Sequence, residues 1–273
     1  MEPNTVFNVD NNEENKKDRI ILEGMTSVSA CIGALDCGRP SREIYEVLAD
    51  SSKLRGNSRF VRRLSYLRAM SAKHGFALKM CEPEELDVLT SSKTHGGIAA
   101  HVGPRHILPL SDAKLPSRGF FMLFDGIEDP YSFGYSLRSL YAAGADGVVI
   151  PGGHFISAEG IIARSSAGAY EHMPIYSAAS GSAEAVLRFK SAGYRALCSE
   201  IRNSTDHTKA CLDRPILLVM GGEKRGISAS LSAMCDGNVR IAYGREFMGS
   251  LSTACAVSVL AFAVPTDSQP SDQ

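Results

Sequence analysis

Three stretches in the second half of the chain bring glycines and polar side chains together at spacings that suit ligand chemistry. In the first, an apolar run at residues 120–124 ends in Asp125-Gly126-Ile127-Glu128-Asp129-Pro130, and Tyr131-Ser132-Phe133-Gly134 leads into a helix carrying Arg138. Polar groups that gather after the carboxyl end of a strand stand where open α/β sheets place their ligands. Arg138 offers a planar set of donors to a phosphate or ribose; an ion pair with Asp125, Glu128 or Asp129 is the structural alternative. In the second, the run at 216–220 enters Gly221-Gly222-Glu223-Lys224-Arg225-Gly226-Ile227-Ser228. Its glycines allow a backbone to approach a ligand closely, but the spacing is neither the P-loop nor the dinucleotide fingerprint. In the third, a strand at 239–242 is followed by Gly244, Arg245, Met248 and Gly249, then by Ser250-Leu251-Ser252-Thr253 ahead of an apolar helix at 254–264. That hydroxyl cluster either serves the site or caps the helix.

The first half carries a different chemistry. Lys53, Arg55, Arg59, Arg62, Arg63, Arg68, Lys73 and Lys79 occur with no Asp or Glu between them. Phe60, Leu64 and Leu67 recur at helical spacing and turn Arg59, Arg62 and Arg63 toward solvent, as a phosphate-binding face or as an ordinary solvated one. Lys93-Thr94-His95-Gly96-Gly97-Ile98 sets cationic and hydroxyl donors beside paired glycines, which fits either a phosphate-contacting loop or a tight turn.

The elements that must position these residues form two units. Residues 19–103 read as helix 26–35, strand 43–48, helix 58–74 and strand 76–81, a small α/β domain. Residues 104–118, with three prolines between Gly103 and Gly119, read as a linker. Residues 119–264 carry apolar runs at 120–124, 147–150, 196–199, 216–220 and 239–242, alternating with helical segments. Their unbroken hydrophobicity predicts strands covered on both faces, hence a mostly parallel sheet. Residues 1–18 and 265–273 read as flexible tails.

Composition narrows the class. A chain of 273 residues, 44% hydrophobic and 22% charged, has an ordinary globular balance, and its net charge of -1 leaves any nucleic-acid contact to local charge. Apolar stretches too short to cross a bilayer and a polar amino terminus predict a soluble, cytoplasmic protein. Seven scattered cysteines without a C-x-x-C pair indicate neither a disulfide framework nor a zinc site, and are expected to be reduced and mostly buried.

Taken in order, LFDGIEDPYSFGYSLRSLYAAGADGVVIPGG (123–153), LLVMGGEKRGIS (217–228) and RIAYGREFMGSLSTACAVSVLAF (240–262) resemble the three signature motifs of the SpoU (TrmH-type) RNA 2'-O-ribose methyltransferases. RSSAGAYEHMPIY (164–176) resembles the segment between the first two. ILEGMTSVSACI (21–32) and KTHGGIAAHV (93–102) are similar to the ends of the ribosomal-protein-like RNA-binding domain that often precedes this catalytic domain. The resemblance implies a SPOUT fold with a deep trefoil knot, S-adenosylmethionine as methyl donor, a homodimer whose interface completes the site, and ribosomal or transfer RNA as substrate. By motif position Gly221, Ile241 and Leu251 would line the donor, while Gly222, Glu223 and Gly226 would shape the second loop. Arg138 would handle the target ribose, with Glu223 orienting it across the dimer interface. RNA contacts would come from Arg59, Arg62, Arg63, Lys93 and His95. The pattern departs at two catalytic positions, where Ser132 and Ser252 stand in place of the family's Asn, and each exchange replaces a carboxamide by a shorter hydroxyl. Those departures raise the alternative of an RNA-binding protein of the same fold that has lost efficient transfer.

Overall fold

The computed structural model describes residues 19–39, 42–91, 93–152 and 158–266. The tails read at 1–18 and 265–273 lie outside them except for Pro265 and Thr266, as does Gly153 at the end of the first motif. The chain divides into two compact units, residues 1–106 and 107–273.

In the first unit the order is β1 (Ile20–Glu23), α1 (Gly24–Asp36), β2 (Ile44–Asp50), α2 (Ser58–His74), β3 (Ala77–Cys81), α3 (Pro83–Leu89) and β4 (Ile98–Val102). The strands form one sheet in the order β1-β4-β2-β3, in which β2 and β3 run parallel and β4 pairs antiparallel with β1 and β2. Helix α2 shows how local sequence sets its own limits. The Asn57 side chain accepts from the Phe60 amide at 3.0 Å, and Gly75 closes the helix in the left-handed conformation at φ 80°. Phe60, Leu64 and Leu67 are buried at i, i+4 and i+7, which leaves the arginines outside.

The second unit comprises β5 (Leu108–Pro109), β6 (Phe120–Asp125), α4 (Pro130–Ala142), β7 (Gly147–Pro151), α5 (Glu159–Ser165), α6 (Ala169–His172), β8 (Ile175–Ala178), α7 (Ser182–Ser191), β9 (Arg195–Ser199), β10 (Ser204–Asp206), β11 (Ile216–Gly221), α8 (Ala229–Met234), β12 (Gly237–Arg240) and α9 (Thr253–Ala263). Its strands join in the order β10-β12-β9-β11-β6-β7-β8-β5, and every pair is parallel. Both faces are covered, as the continuous apolar runs require. Phe121, Leu123, Leu217 and Val219 face a core shared with Phe189 of α7 and Leu231 of α8, while Phe124 meets Phe133 of α4 edge-on at 5.5 Å on the other side.

Three expectations need correction. Residues 104–118 are not all linker: Leu108–Pro109 pairs with β8, and Leu110 and Ala113 are buried in the second unit's core. The strand expected at 239–242 is Gly237–Arg240, so Ile241 and Ala242 fall in the loop beyond it. Of the seven cysteines, all free thiols, only Cys31, Cys81 and Cys198 are buried. No described helix is long and apolar enough to cross a membrane.

Phe121 sits at the centre of an aromatic group, with ring centroids 4.9 Å from Phe189 and 5.9 Å from Tyr194. Truncating a fully buried phenylalanine costs about 3–5 kcal/mol. Phe121→Ala should therefore lower the urea midpoint by that equivalent, followed by circular dichroism because the chain contains no tryptophan. A shift worth less than about 1 kcal/mol would show that this aromatic group does not carry the core.

Candidate active site

The site is built where adjacent parallel strands end. Strands β6 and β11 pair in register through Asp125 and Gly221, so the loops that follow start side by side. They touch backbone to backbone: a Cβ on Gly222 would lie 2.2 Å from the Gly126 carbonyl oxygen, and the Gly222 amide donates to the Asp125 carbonyl at 2.9 Å. Gly226 closes the second loop by donating its amide to the Gly222 carbonyl at 2.9 Å, with φ at +63°. Glycine is required at Gly222 by contact and at Gly226 by conformation.

This loop separates two clefts. The larger, of about 1050 Å³, is lined by Gly221, Gly222, Glu223 and Gly226 on one side and by Ile241, Leu251 and Ser252 on the other. The smaller, of about 610 Å³, lies between the loops after β6 and β11 and includes Asp125, Glu128, Asp129, Glu223, Lys224 and Arg225. Glu223 lines both. Gly221, Ile241 and Leu251, expected to line the donor, therefore fall on one cleft together with Gly222 and Gly226 of the second loop.

Ser132 and Glu223, 91 positions apart, are brought together, the serine hydroxyl donating to the glutamate Oε1 at 3.3 Å. Asp129 caps α4 by accepting from the Ser132 amide at 2.7 Å and the Tyr131 amide at 3.4 Å. Hydrogen bonding from the Ser132 side chain first, and from these amides, holds the Asp129 carboxyl below its ordinary pKa against the opposing effect of burial. At the rim, the bond from Lys224 to Glu128 at 2.6 Å lowers the carboxyl's pKa and raises the ammonium's. Ser252 caps α9, its Oγ accepting from the Cys255 amide at 3.4 Å, while also lining the larger cleft. Capping and site are not alternatives at this position.

Arg138 lines neither cleft. It is exposed on α4 and has no hydrogen-bond or ion-pair partner among the described residues. In the first unit Arg59 and Arg62 are exposed and Arg63 half-buried, all without described ionic partners, and Lys93 is exposed. His95 is different, being only 6% accessible. Its Nδ1 accepts from the Gly97 amide at 3.2 Å, so the proton resides on Nε2, which faces Asp87 Oδ1 at 3.2 Å. His95 shapes the glycine turn rather than presenting its ring to a ligand. Among the described residues no group of His, Cys, Asp or Glu is arranged to hold a metal ion.

Sequence reasoning passed over Glu200, Asp206, Tyr243 and Phe247, which also line the larger cleft. Glu200 follows the end of β9 directly, so the strand-end rule applied to β6 and β11 would have found it. Tyr243 and Phe247 belong to no polar pattern and gave no such signal.

The SpoU rRNA Methylase family matches residues 119–262. A Staphylococcus haemolyticus protein assigned provisionally to the TrmH family of tRNA/rRNA methyltransferases is 29% identical over 185 residues, covering 66% of this chain and 73% of its own length. Among solved structures, an RNA 2'-O ribose methyltransferase superposes with a TM-score of 0.73 at 20% identity, over 92% of this chain and 89% of its own. The AdoMet-bound rRNA methyltransferase from Sinorhizobium meliloti superposes with a TM-score of 0.72 at 20% identity, over 92% and 88%.

The Gly222 contact yields a direct test. Gly222→Ala must force the two loops apart, costing about 1–3 kcal/mol and opening the Glu223 to Ser132 contact. Gly244→Ala, in the loop that follows β12, has open space around its Cβ and should leave the melting temperature unchanged. Equal melting temperatures for both variants would remove the loop contact as a determinant of the site. Since the family match spans more than half of the 273 residues and the three motif loops converge on adjoining clefts, the chain belongs to the SpoU rRNA methylase family of RNA methyltransferases.

Proposed function

We propose that this chain transfers a methyl group from S-adenosylmethionine to a ribose 2'-hydroxyl of structured RNA, ribosomal or transfer. The observation that carries the reading is the larger cleft, into which the loops after β11 and β12 converge although β9 lies between those strands. The same convergence supports a knotted path for the segment after β12. Glycine backbone at Gly221 and Gly222 and apolar surface at Ile241 and Leu251 suit a nucleoside with a thioether-like arm. Among the described residues the one cation of the lining is Arg240, which is bound to Asp206 at 2.6 Å, and this disfavours phosphate-bearing cofactors. Bound there, S-adenosylmethionine supplies an activated methyl group on a cationic sulfur.

The chain's own residues position and polarise the acceptor. Glu223, held by Ser132, stands on the wall shared by both clefts and is placed to orient a guanidinium. Arg138 is the guanidinium assigned that place, contributed by a partner subunit. Its position supports this: Tyr131, Tyr135 and Tyr141 on α4 are exposed beside it, and Val259 and Phe262 are exposed on α9, which joins α4 through Ser139 and Ser258 hydroxyls 2.7 Å apart. A homodimer would cover that apolar face. A guanidinium donates hydrogen bonds and accepts none, so Arg138 holds the hydroxyl or its neighbouring phosphate and stabilises developing negative charge rather than removing the proton. Ser132 still reaches Glu223 despite its shorter side chain, which favours an active enzyme over the binding-only alternative.

Single-turnover methyl transfer to cellular RNA separates the readings. Arg138→Ala should lower the rate by at least about a hundredfold while donor affinity holds, and Arg138→Lys should not restore it. An inactive wild type together with an active Ser132→Asn, Ser252→Asn double variant would instead establish the binding protein. For the first unit, reversing the charges of Arg59, Arg62 and Arg63 should weaken RNA binding and reduce the logarithmic salt slope by about two to three, because fewer counterions are released. Unchanged affinity and slope would assign α2 to ordinary solvated surface.

A further inference from the structure

The larger cleft carries four charged side chains, Glu200, Asp206, Glu223 and Arg240. Asp206 and Arg240 face each other as register partners of β10 and β12 and neutralise one another through their 2.6 Å contact. Glu223 is at the wall, tied to Ser132. Glu200 remains. Its backbone N–H donates a hydrogen bond to the Val239 carbonyl at 3.1 Å, and among the described residues its Oε1 accepts only from the neighbouring Ile201 amide at 3.1 Å. The residue is half-buried and has no cationic partner among the described residues. Among the described residues the cleft therefore holds more negative charge than its one cation, Arg240, neutralises.

We infer that Glu200 lets the cleft discriminate by charge between the methyl donor and its demethylated product, an inference that rests on the methyl-transfer reading above. The two molecules share adenosine, the amino-acid arm and its paired ammonium and carboxylate. They differ in one methyl group and in the positive charge of the sulfonium, which disappears when the methyl leaves and the sulfur keeps the bonding electrons. A carboxylate in a partly desolvated cleft attracts the cationic form and is indifferent to the neutral one. Glu200 is thus a specificity residue that favours donor entry and product release. It acts without touching the acceptor.

The test is calorimetric and needs no turnover. Dissociation constants for S-adenosylmethionine and S-adenosylhomocysteine are measured on wild type, Glu200→Gln and Glu200→Asp. The ratio favouring the donor should fall about fivefold in Glu200→Gln, mainly through weaker donor binding, and be largely kept in Glu200→Asp. In wild type the same ratio should shrink with added salt, a readout that survives even if a variant misfolds. Analogues with a protonatable amine in place of the sulfonium should behave as the donor does. A ratio unchanged by Glu200→Gln and by salt, with both ligands bound, overturns the role of Glu200 and leaves the methyl-transfer reading intact. Failure of wild type to bind either ligand overturns that reading and this inference with it.

Discussion

The contact between the Gly222 and Gly126 backbones is the constraint on which the site depends. Parallel pairing of β6 and β11 brings their last residues level, but two loops with side chains at the point of exit would splay. The missing Cβ of Gly222 lets the second loop lie on the first, while Gly126 is needed for its φ of +93°, and the Gly222 amide bonds the Asp125 carbonyl beside the contact. Everything near the chemistry inherits that placement. Glu223 follows Gly222 by one residue, so its reach to Ser132 is set by the glycine contact and not by its own packing, since it is exposed.

Charge is partitioned in a way the whole-chain total of -1 conceals. The first unit concentrates cations on α2, a surface suited to a polyanion, while the larger cleft of the second unit is lined by more carboxylates than cations. A single molecule that must hold an RNA and a positively charged small donor benefits from this separation, because each field repels the other's ligand. The arrangement within the second unit also leaves Arg138 outside both clefts, on a face rich in tyrosine.

Much of the fold was legible because strong local signals agreed with the tertiary outcome. Helix α2 runs from Ser58 to His74 as its apolar spacing predicts, and the fully buried strands announced themselves as unbroken apolar runs. Strand β10, Ser204–Asp206, was illegible because a short polar edge strand has no hydrophobic pattern, and β5 was hidden by its proline. Strand β12 was misplaced by two residues because Ile241 and Ala242 are apolar toward the cleft and not toward the sheet. The glycine positions of the site could be read from the motifs, whereas the burial of His95 could not, since only the fold reveals that Asp87 and Gly97 occupy both ring nitrogens.

Ser252 serves two masters, as the cap of α9 and as part of the cleft wall. Serine and asparagine are about equally good at the amino-terminal cap, so exchanging one for the other leaves helix stability nearly untouched. Half of the usual penalty on an active-site substitution is thereby missing. A lineage can therefore cross between hydroxyl and carboxamide at this position without passing through a poorly folded intermediate. Drift at Ser252 is then governed by the chemistry in the cleft alone, and this position should record changes of substrate among related proteins more faithfully than the glycines, which the fold forbids to vary.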